Sequence, residues 1–375
     1  MACSPRTPKT DAPYPPGWEP FLAAINADLD DDTVRLAFAD WLQENGDEAR
    51  AAFIRVQVAL YRTDEDASPE LRARERQLIN DNRGRWTRGL PPELTESSWS
   101  FRRGFVFSAS ATARQWLRHG AELRRLTPLE NLGLSRTVDC EQVFAQPSLV
   151  GLRRLFLDDP RPTCFAALAD APALDSLTGL AIGDCASSSG AIRGPAAVLA
   201  RSPRLANLAR VCLRSSPIGD SFAHGLATNS AVRKLLEAEF LKTELSAPWF
   251  EQFVNSPAAV GLRVLNLQAN YFGDDGCRRL VNSPLMELDE LNLRYTNLTA
   301  ESARLLAAWP GLKSVRTLRL SGNEFGPDGA RVLLTSEHLA NLTALELPTL
   351  RIHKPDRERL AALPEYQRIP RVTFA

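Results

Sequence analysis

"LRVLNLQANYFGDDG", residues 262–276, decides the fold of this chain. It contains Leu262, Leu265 and Leu267, followed by Asn270 and a turn that includes glycine. The same residues could form one strand of a compact enzyme or one unit of a repeat. Only a repeat returns at a fixed period, so the rest of the chain distinguishes the two.

The spacing of apolar residues in this stretch occurs nine times along the chain. Successive copies lie 23 to 31 residues apart, and those from Leu213 onward are separated by 26 or 27 residues. The third apolar position of each copy falls at Leu134, Leu157, Ile182, Leu213, Phe240, Leu267, Leu293, Leu320 and Leu347. The stretches between copies, such as "FGDDGCRRLVNSP" (272–284) and "FGPDGARVLLTSE" (325–337), predict a turn and a short amphipathic helix. Each unit is therefore predicted to be a strand, a turn and a helix.

This pattern resembles the leucine-rich repeat family in its ribonuclease-inhibitor-like form, over residues 127–350. The resemblance implies an α/β solenoid with a curved parallel sheet inside and helices outside. The apolar positions of each strand would then stack on those of the neighbouring copies. The position of Asn270, which other copies fill with Asn, Cys, Thr or Ser, would hydrogen-bond the backbone of the adjacent turn.

A different kind of sequence precedes the repeats. "DDDTVRLAFADWLQENGDEARAAFIRVQVAL" (30–60) predicts amphipathic helices, the first of them capped by Asp32 or Thr33. The helices are expected over residues 33–45, 47–62 and 69–85. This sequence resembles the short repeat-companion domain that some bacterial proteins contain in front of leucine-rich repeats. We therefore expect a small all-α N-terminal domain and a bacterial protein, without a biochemical role implied by the resemblance.

These assignments divide the whole chain. Proline-rich residues at the start predict a disordered leader, and the less regular segments on either side of the repeats predict caps that close the solenoid. The expected divisions are a leader at 1–17, a helical repeat-companion domain at 18–90, an N-terminal cap at 91–126, nine repeats at 127–350 and a C-terminal cap at 351–375.

Composition argues against several classes of partner. The formal net charge is zero, so no long-range field favours nucleic acid or an anionic membrane. The six cysteines are scattered and never form a CxxC pair, which favours a cytoplasmic protein with reduced thiols. We predict a cytoplasmic monomer that binds neither nucleic acid nor membrane.

No motif for catalysis, a cofactor or a metal is present. The aspartates within residues 28–32 invite a calcium interpretation, but an EF-hand loop would need glycine and glutamate where Thr33 and Ala39 stand. Helix capping explains these aspartates better. The histidines are far apart, and neither a phosphate-binding loop nor a nucleophile elbow occurs. We therefore expect no catalytic, cofactor or metal site.

An alternative places an activity in the N-terminal helical domain. The chain would then be an enzyme, or an adaptor or regulatory subunit, with a site around Asp40, Trp41, Glu44 and Arg55. Asp40 and Arg55 can also form a structural ion pair between two helices, and we favour that interpretation. A basic run within residues 72–88 is diluted by acidic residues and predicts a solvated helix face.

The inner surface of the sheet is the candidate binding site, because its side chains are not needed for folding. Small and apolar residues predominate there in the first half of the array, and amide and charged residues in the second. The candidate contact residues are Phe156, Arg214, Glu239, Gln268, Asn292, Arg294 and Arg319. This surface predicts a non-enzymatic scaffold that binds a protein partner on its concave face. A solvated face without a partner remains the alternative.

Overall fold

The computed structural model describes residues 13–62, 68–94, 100–136, 139–185 and 191–375. The chain divides into two compact units. The first unit consists of the residues up to 134 together with residues 146–152, and the second consists of residues 135–145 and 153–375. The boundaries of the five predicted divisions stay predictions, and most of the expected leader lies outside the described residues.

The first unit is mainly helical. Its α-helices are α1 (Glu19–Ala27), α2 (Asp32–Glu44), α3 (Glu48–Arg62), α4 (Pro69–Trp86) and α5 (Ala113–Leu126). The three helices expected between residues 33 and 85 are confirmed to within one residue at each end. The cap of α2 differs by one position, because the side chain of Asp31 accepts the hydrogen bond from the amide of Thr33. Helix α1 was not predicted.

Aromatic packing and buried ion pairs hold this unit together. Phe53 stacks on Trp86 with ring centroids 4.5 Å apart. The buried Arg103 lies 3.4 Å from both Asp32 and Glu130. Because a buried guanidinium is stable only with such partners, this contact ties the start of α2 to the segments around it.

Short strands complete the first unit. Strand β1 (Phe101–Arg102) pairs antiparallel with β2 (Phe105–Val106), and β3 (Ser108–Thr112) lies beside β4 (Asn131–Ser135). Gly104 forms the turn between β1 and β2 with a φ of +91°, a conformation that favours glycine. Residues 101–112 thus form a hairpin followed by a third strand.

The second unit repeats a strand and a helix. Its strands are β5 (Arg154–Asp158), β6 (Gly179–Gly183), β7 (Arg210–Arg214), β8 (Glu237–Leu241), β9 (Val264–Asn266), β10 (Glu290–Asn292), β11 (Thr317–Arg319), β12 (Ala344–Leu347) and β13 (Arg371–Phe374). They pair in parallel, each with the next in chain order. Strand β13 was not predicted, since its segment was taken only as a charged and irregular cap.

Helices connect these strands. They are α6 (Cys140–Phe144), α7 (Pro162–Ala169), α8 (Arg193–Ala200), α9 (Gly219–Thr228), α10 (Ala247–Val254), α11 (Gly273–Val281), α12 (Ala300–Ala308), α13 (Gly326–Leu334), α14 (Lys354–Ala361) and α15 (Pro364–Arg368). From α6 to α14 each helix packs on the next. Short 3₁₀ turns starting at prolines follow several of them, as at Pro203–Asn207, Pro257–Ala259 and Pro310–Lys313. The residue before a proline is disfavoured in the α conformation, so these helices end ahead of the prolines.

The strand register aligns the apolar positions of all the copies. The second apolar position of each strand pairs with that of its neighbours, through Leu155, Leu180, Val211, Ala238, Leu265, Leu291, Leu318 and Leu345. All of them are buried. Burial of one such leucine contributes about 2 kcal/mol, and the ladder makes each contribution depend on the next copy.

A second ladder runs through the turns after the strands. The Asn270 side chain accepts hydrogen bonds from the amides of Thr243 and Leu245, both at 3.1 Å, and donates to the carbonyl of Leu267. Asn323 makes the equivalent contacts with its own preceding turn. The predicted role of this position is confirmed.

In the turns after β4 to β11, the residue two positions after the third apolar residue lies in the left-handed region of φ. These residues are Arg136, Asp159, Asp184, Ser215, Lys242, Ala269, Tyr295 and Gly322, with φ between 46° and 73°. Such a conformation costs a non-glycine residue about 1 kcal/mol, so the surrounding hydrogen bonds must hold it in place. Strands β4 to β11 therefore lead into turns of the same kind.

Two cysteines depart from the expected reduced state. Cys140 in α6 and Cys164 in α7 form a disulfide, whereas Cys185 and Cys277 are free and buried. The bonded pair is separated by 24 residues, close to the local period of the repeat, which places it on neighbouring helices. That separation was the signal in the sequence. Cys3 lies outside the described residues.

Among the described residues, no helix has the length and apolar character needed to cross a membrane.

Candidate functional site

The strand face is the sheet surface formed by the outward side chains of β5–β13. Alternate residues of a strand point to opposite faces, so those between the buried positions point outward. The central row of this face is Phe156, Ala181, Cys212, Glu239, Asn266, Asn292, Arg319, Glu346 and Thr373, aligned by the strand register. Of the predicted contact residues, Phe156, Glu239, Asn292 and Arg319 lie in this row.

On the half of the strand face formed by β5–β8, one strand carries no large outward side chain. All three outward residues of β6 are small: Gly179, Ala181 and Gly183. Phe156 on the neighbouring strand is 38 % exposed, and its ring lies over Gly183, where an added Cβ would be 3.2 Å away. An exposed aromatic ring thus lies beside a shallow depression.

Arg214 is an exposed positive charge on this half. Its side chain is exposed, and Nε donates to Sγ of Cys212 at 3.2 Å. Within the described part of the chain, no carboxylate lies within ion-pair distance of it. Burial and the charge of Glu239 raise the pKa of the Cys212 thiol against the opposing effect of Arg214. Cys212 therefore stays a neutral thiol rather than a nucleophile.

Carboxylates gather beside Arg214 at the ends of β5 and β6. Burial raises the pKa of Asp158, and the nearby charges of Asp184 and Asp159 raise it further. No group of His, Cys, Asp or Glu among the described residues is arranged to hold a metal ion. These aspartates give this edge of the strand face a negative potential.

The half of the strand face on β9–β12 is occupied by ion pairs. Arg294 reaches across two strands to Glu346, with Nε 2.8 Å from Oε1 and Nη2 bonded to Oε2. Arg319 pairs with Glu290. Burial alone would raise the pKa of Glu346, but hydrogen bonds from Arg294 and Ser321 outweigh it and the pKa is lowered. The charges of Arg294 and Arg319 are therefore neutralised by carboxylates of the same chain.

The predicted contact residues differ in their availability to a partner. Phe156 and Arg214 are exposed, while Glu239, Gln268, Arg294 and Arg319 are half-buried. Asn292 is only 4 % exposed, contrary to the expectation that it faces solvent. Its Oδ1 accepts from the amide of Arg294 at 3.1 Å, and its Nδ2 lies 3.4 Å from Gln268.

Sequence reasoning missed three exposed side chains. Tyr271 and Tyr295 project from the turns after β9 and β10. Arg371 is exposed on β13. The tyrosines lie in turns rather than at outward strand positions, and Arg371 belongs to a strand that lacks the leucine spacing.

The alternative site in the first unit consists of structural contacts. Arg55 lies 2.6 Å from Asp40 and 2.8 Å from Gln43, as the predicted ion pair between two helices requires. Trp41 packs against Phe38 with ring centroids 5.7 Å apart. These contacts give structural roles to Asp40, Trp41 and Arg55, whereas Glu44 is an exposed residue at the end of α2.

Comparisons with known proteins agree with the repeat architecture. A family model described as "Leucine Rich repeat" matches residues 311–334. A ribonuclease inhibitor of Sus scrofa is 30 % identical over 190 residues, which cover 48 % of this chain and 40 % of that protein. The chain thus spans less than half of the length of this curated relative.

Two solved structures are similar at low scores. An internalin of Listeria monocytogenes has a TM-score of 0.42 and 18 % identity, over 67 % of this chain and 62 % of that one. The Rad7–Elc1 complex of yeast has a TM-score of 0.37 and 13 % identity, over 83 % of this chain and 90 % of that one. Both scores are too low to support a conclusion about partners.

The structure supplies the stronger argument. Parallel strands pair in chain order, their leucines form a buried ladder, and asparagines hold the turns. Together with the matched family repeat, these features show that the chain has the α/β solenoid fold of leucine-rich repeats.

Proposed function

We propose that this chain is a non-enzymatic scaffold that binds a protein partner through its strand face, which the family resemblance makes the concave side. The main support for this proposal is the difference between the two halves of that face. Phe156 and Arg214 are exposed next to the small residues of β6, whereas the arginines on β10 and β11 are paired with glutamates. We assign the principal contacts to the first half.

The chemistry of this half suits a protein partner. Aromatic and arginine side chains supply most of the binding energy in typical interfaces, particularly around shallow depressions. The backbone beneath Phe156 and Arg214 is held by the parallel sheet, so little ordering entropy is lost on binding. The pig relative is by its name an inhibitor of an enzyme, which supports a binding role.

We extend the proposal to the setting of the protein. We infer a bacterial monomer in which the first unit is a repeat-companion domain. The Cys140–Cys164 disulfide counts against the cytoplasmic location that reduced thiols would favour. The zero net charge disfavours nucleic acid and anionic membranes as partners. An activity in the first unit has no observation in its favour, since Asp40 and Arg55 are paired with each other.

The test is affinity capture from the native cell with the whole chain as bait, followed by mass spectrometry. A variant carrying Phe156→Ala and Arg214→Glu should lose its specific partner. Loss of about 2 kcal/mol at one such contact is a roughly 30-fold weakening of binding. The matched control carries Val198→Ala and Arg201→Glu, both exposed at α8. Capture of the same partner by both variants would contradict the proposal.

A further inference from the structure

A cavity of about 130 Å³ lies on the strand face over β11, β12 and β13. Its lining includes Thr317, Arg319, Ala344, Glu346, Arg371 and Thr373. It belongs to the opposite end of the strand face from Phe156 and Arg214. Its chemistry is therefore separate from the contacts assigned above.

The strand register explains why the cavity is there. Thr317, Ala344 and Arg371 are aligned on adjacent strands, and all three point outward. Ala344 ends in a methyl group between two longer neighbours, so the sheet is left bare above it. The next outward row contains Arg319, Glu346 and Thr373 and bounds the cavity along the strands.

The charges around the cavity do not cancel. Arg319 is paired with Glu290, and both carboxylate oxygens of Glu346 are held by Arg294. Arg371 is exposed and, among the residues that the structure describes, has no carboxylate within ion-pair distance. One uncompensated positive charge therefore borders the cavity, with a second guanidinium opposite it.

We propose that this cavity binds a carboxylate side chain from an acidic segment of a protein partner. Arg371 supplies the charge, and Arg319 and the hydroxyls of Thr317 and Thr373 supply further donors. Charge-assisted bonds from arginine to carboxylate are among the strongest hydrogen bonds in proteins. The space suffices, since a carboxylate group is much smaller than the benzene molecule that a cavity of about 150 Å³ admits.

A carboxylate fits this site better than a phosphate group. Glu346 lines the cavity, so an incoming group with two negative charges would meet a carboxylate at close range. A single negative charge matches the single uncompensated positive charge of Arg371. Phosphorylated segments are therefore the outcome against which the proposal is tested.

The test uses fluorescence anisotropy of a labelled, C-terminally amidated peptide of glutamates, added to the whole protein at low salt. Peptides of glutamine and of phosphoserine, equal in length, are the comparison probes. The glutamate peptide should bind, and Arg371→Gln should weaken it at least about tenfold, as expected for a hydrogen bond to a charged group. Ala344→Leu should have a similar effect by filling the cavity without changing the charge.

The matched control is Arg316→Gln. Arg316 is an exposed arginine just before β11 that lies 3.6 Å from Asp289, so its loss removes the same charge outside the cavity. It should change the affinity less than about twofold if binding is local. Circular dichroism on each variant reports whether the sheet is intact.

Several outcomes would overturn the carboxylate site. They are no binding of the glutamate peptide, equal binding of the glutamine peptide, equal weakening by Arg371→Gln and Arg316→Gln, or tighter Arg371-dependent binding of phosphoserine. None of these results bears on capture through Phe156 and Arg214. The two proposals can therefore fail separately.

Discussion

Replacement of Asn270 by alanine should destabilise the second unit by about 3 to 5 kcal/mol, an unusually large loss for a polar residue. The side chain is 1 % exposed and accepts from the amides of Thr243 and Leu245. Alanine would leave both amides buried without a partner, at about 1 to 3 kcal/mol each. The carbonyls of Phe240 and Leu267 would lose their donor as well.

The loss should be visible both globally and locally. Urea unfolding followed by circular dichroism measures the change in the free energy of unfolding. Because stability in a repeat array depends on nearest neighbours, hydrogen exchange adds a local readout. The amides of Thr243 and Leu245 should exchange much faster in the alanine variant, while the amides of Thr296 and Leu298, held by Asn323, should stay protected.

Two further variants sharpen this prediction. Asn282 lies at the exposed end of α11, and Asn282→Ala should change stability by less than about 0.5 kcal/mol. Asn270→Asp keeps the acceptor but buries a charge next to carbonyl groups, so it should be as harmful as alanine at neutral pH. Acidification should restore part of its stability, since the neutral acid can donate. Equal, small effects of Asn270→Ala and Asn282→Ala would refute the reasoning.

Three other changes test separate contacts. Gly104→Ala should lower the free energy of unfolding by about 2 to 4 kcal/mol, because φ is +91° and the new Cβ would lie 2.2 Å from Ile54. An unchanged melting temperature would contradict this prediction. Burial alone would raise the pKa of Asp274, but hydrogen bonds from the start of α12 lower it below 3.8. The ionised carboxylate therefore stabilises the folded state above that pH, and this stabilisation is lost on acidification. The stability difference between wild type and Asp274→Asn should therefore shrink in acid, and a difference that grows would be inconsistent. The Cys140–Cys164 bond closes a loop of 24 residues, so its reduction should lower the free energy of unfolding of the wild type by about 3 kcal/mol. The reducing agent should not change the stability of Cys140→Ser, and an equal change in both proteins would contradict the prediction.

The parts of the fold that depend on a period were predictable from the sequence. Leu265 and Asn270 each have a fixed place in every copy, and their roles follow from burial and backbone hydrogen bonding. Helix α1 and strand β13 depend instead on tertiary packing. The segment 371–374 alternates polar and apolar residues over only four positions, and it is β12 that gives it a place in the sheet.

The sequence predicted which side chains lie on the strand face, but not which of them are free to contact a partner. The register places Arg319 on the strand face, and the contact with Glu346 places Arg294 there as well. Their ion pairs could not be predicted, because Arg294 reaches across two strands to Glu346 and that depends on side-chain rotamers. For the same reason, spacing alone could not show that Asn292 is covered by its neighbours.

The one-to-one register of the strands bears on how such a chain can change over generations. Leu265 pairs with Leu291, so a deletion of residues 266–291 would join Leu265 directly to Asn292 and restore the leucine spacing at the junction. The buried ladder and the turns would continue, one copy shorter. Gene duplication and deletion can therefore set the length of the surface offered to a partner, while point substitutions outside the ladder set its chemistry.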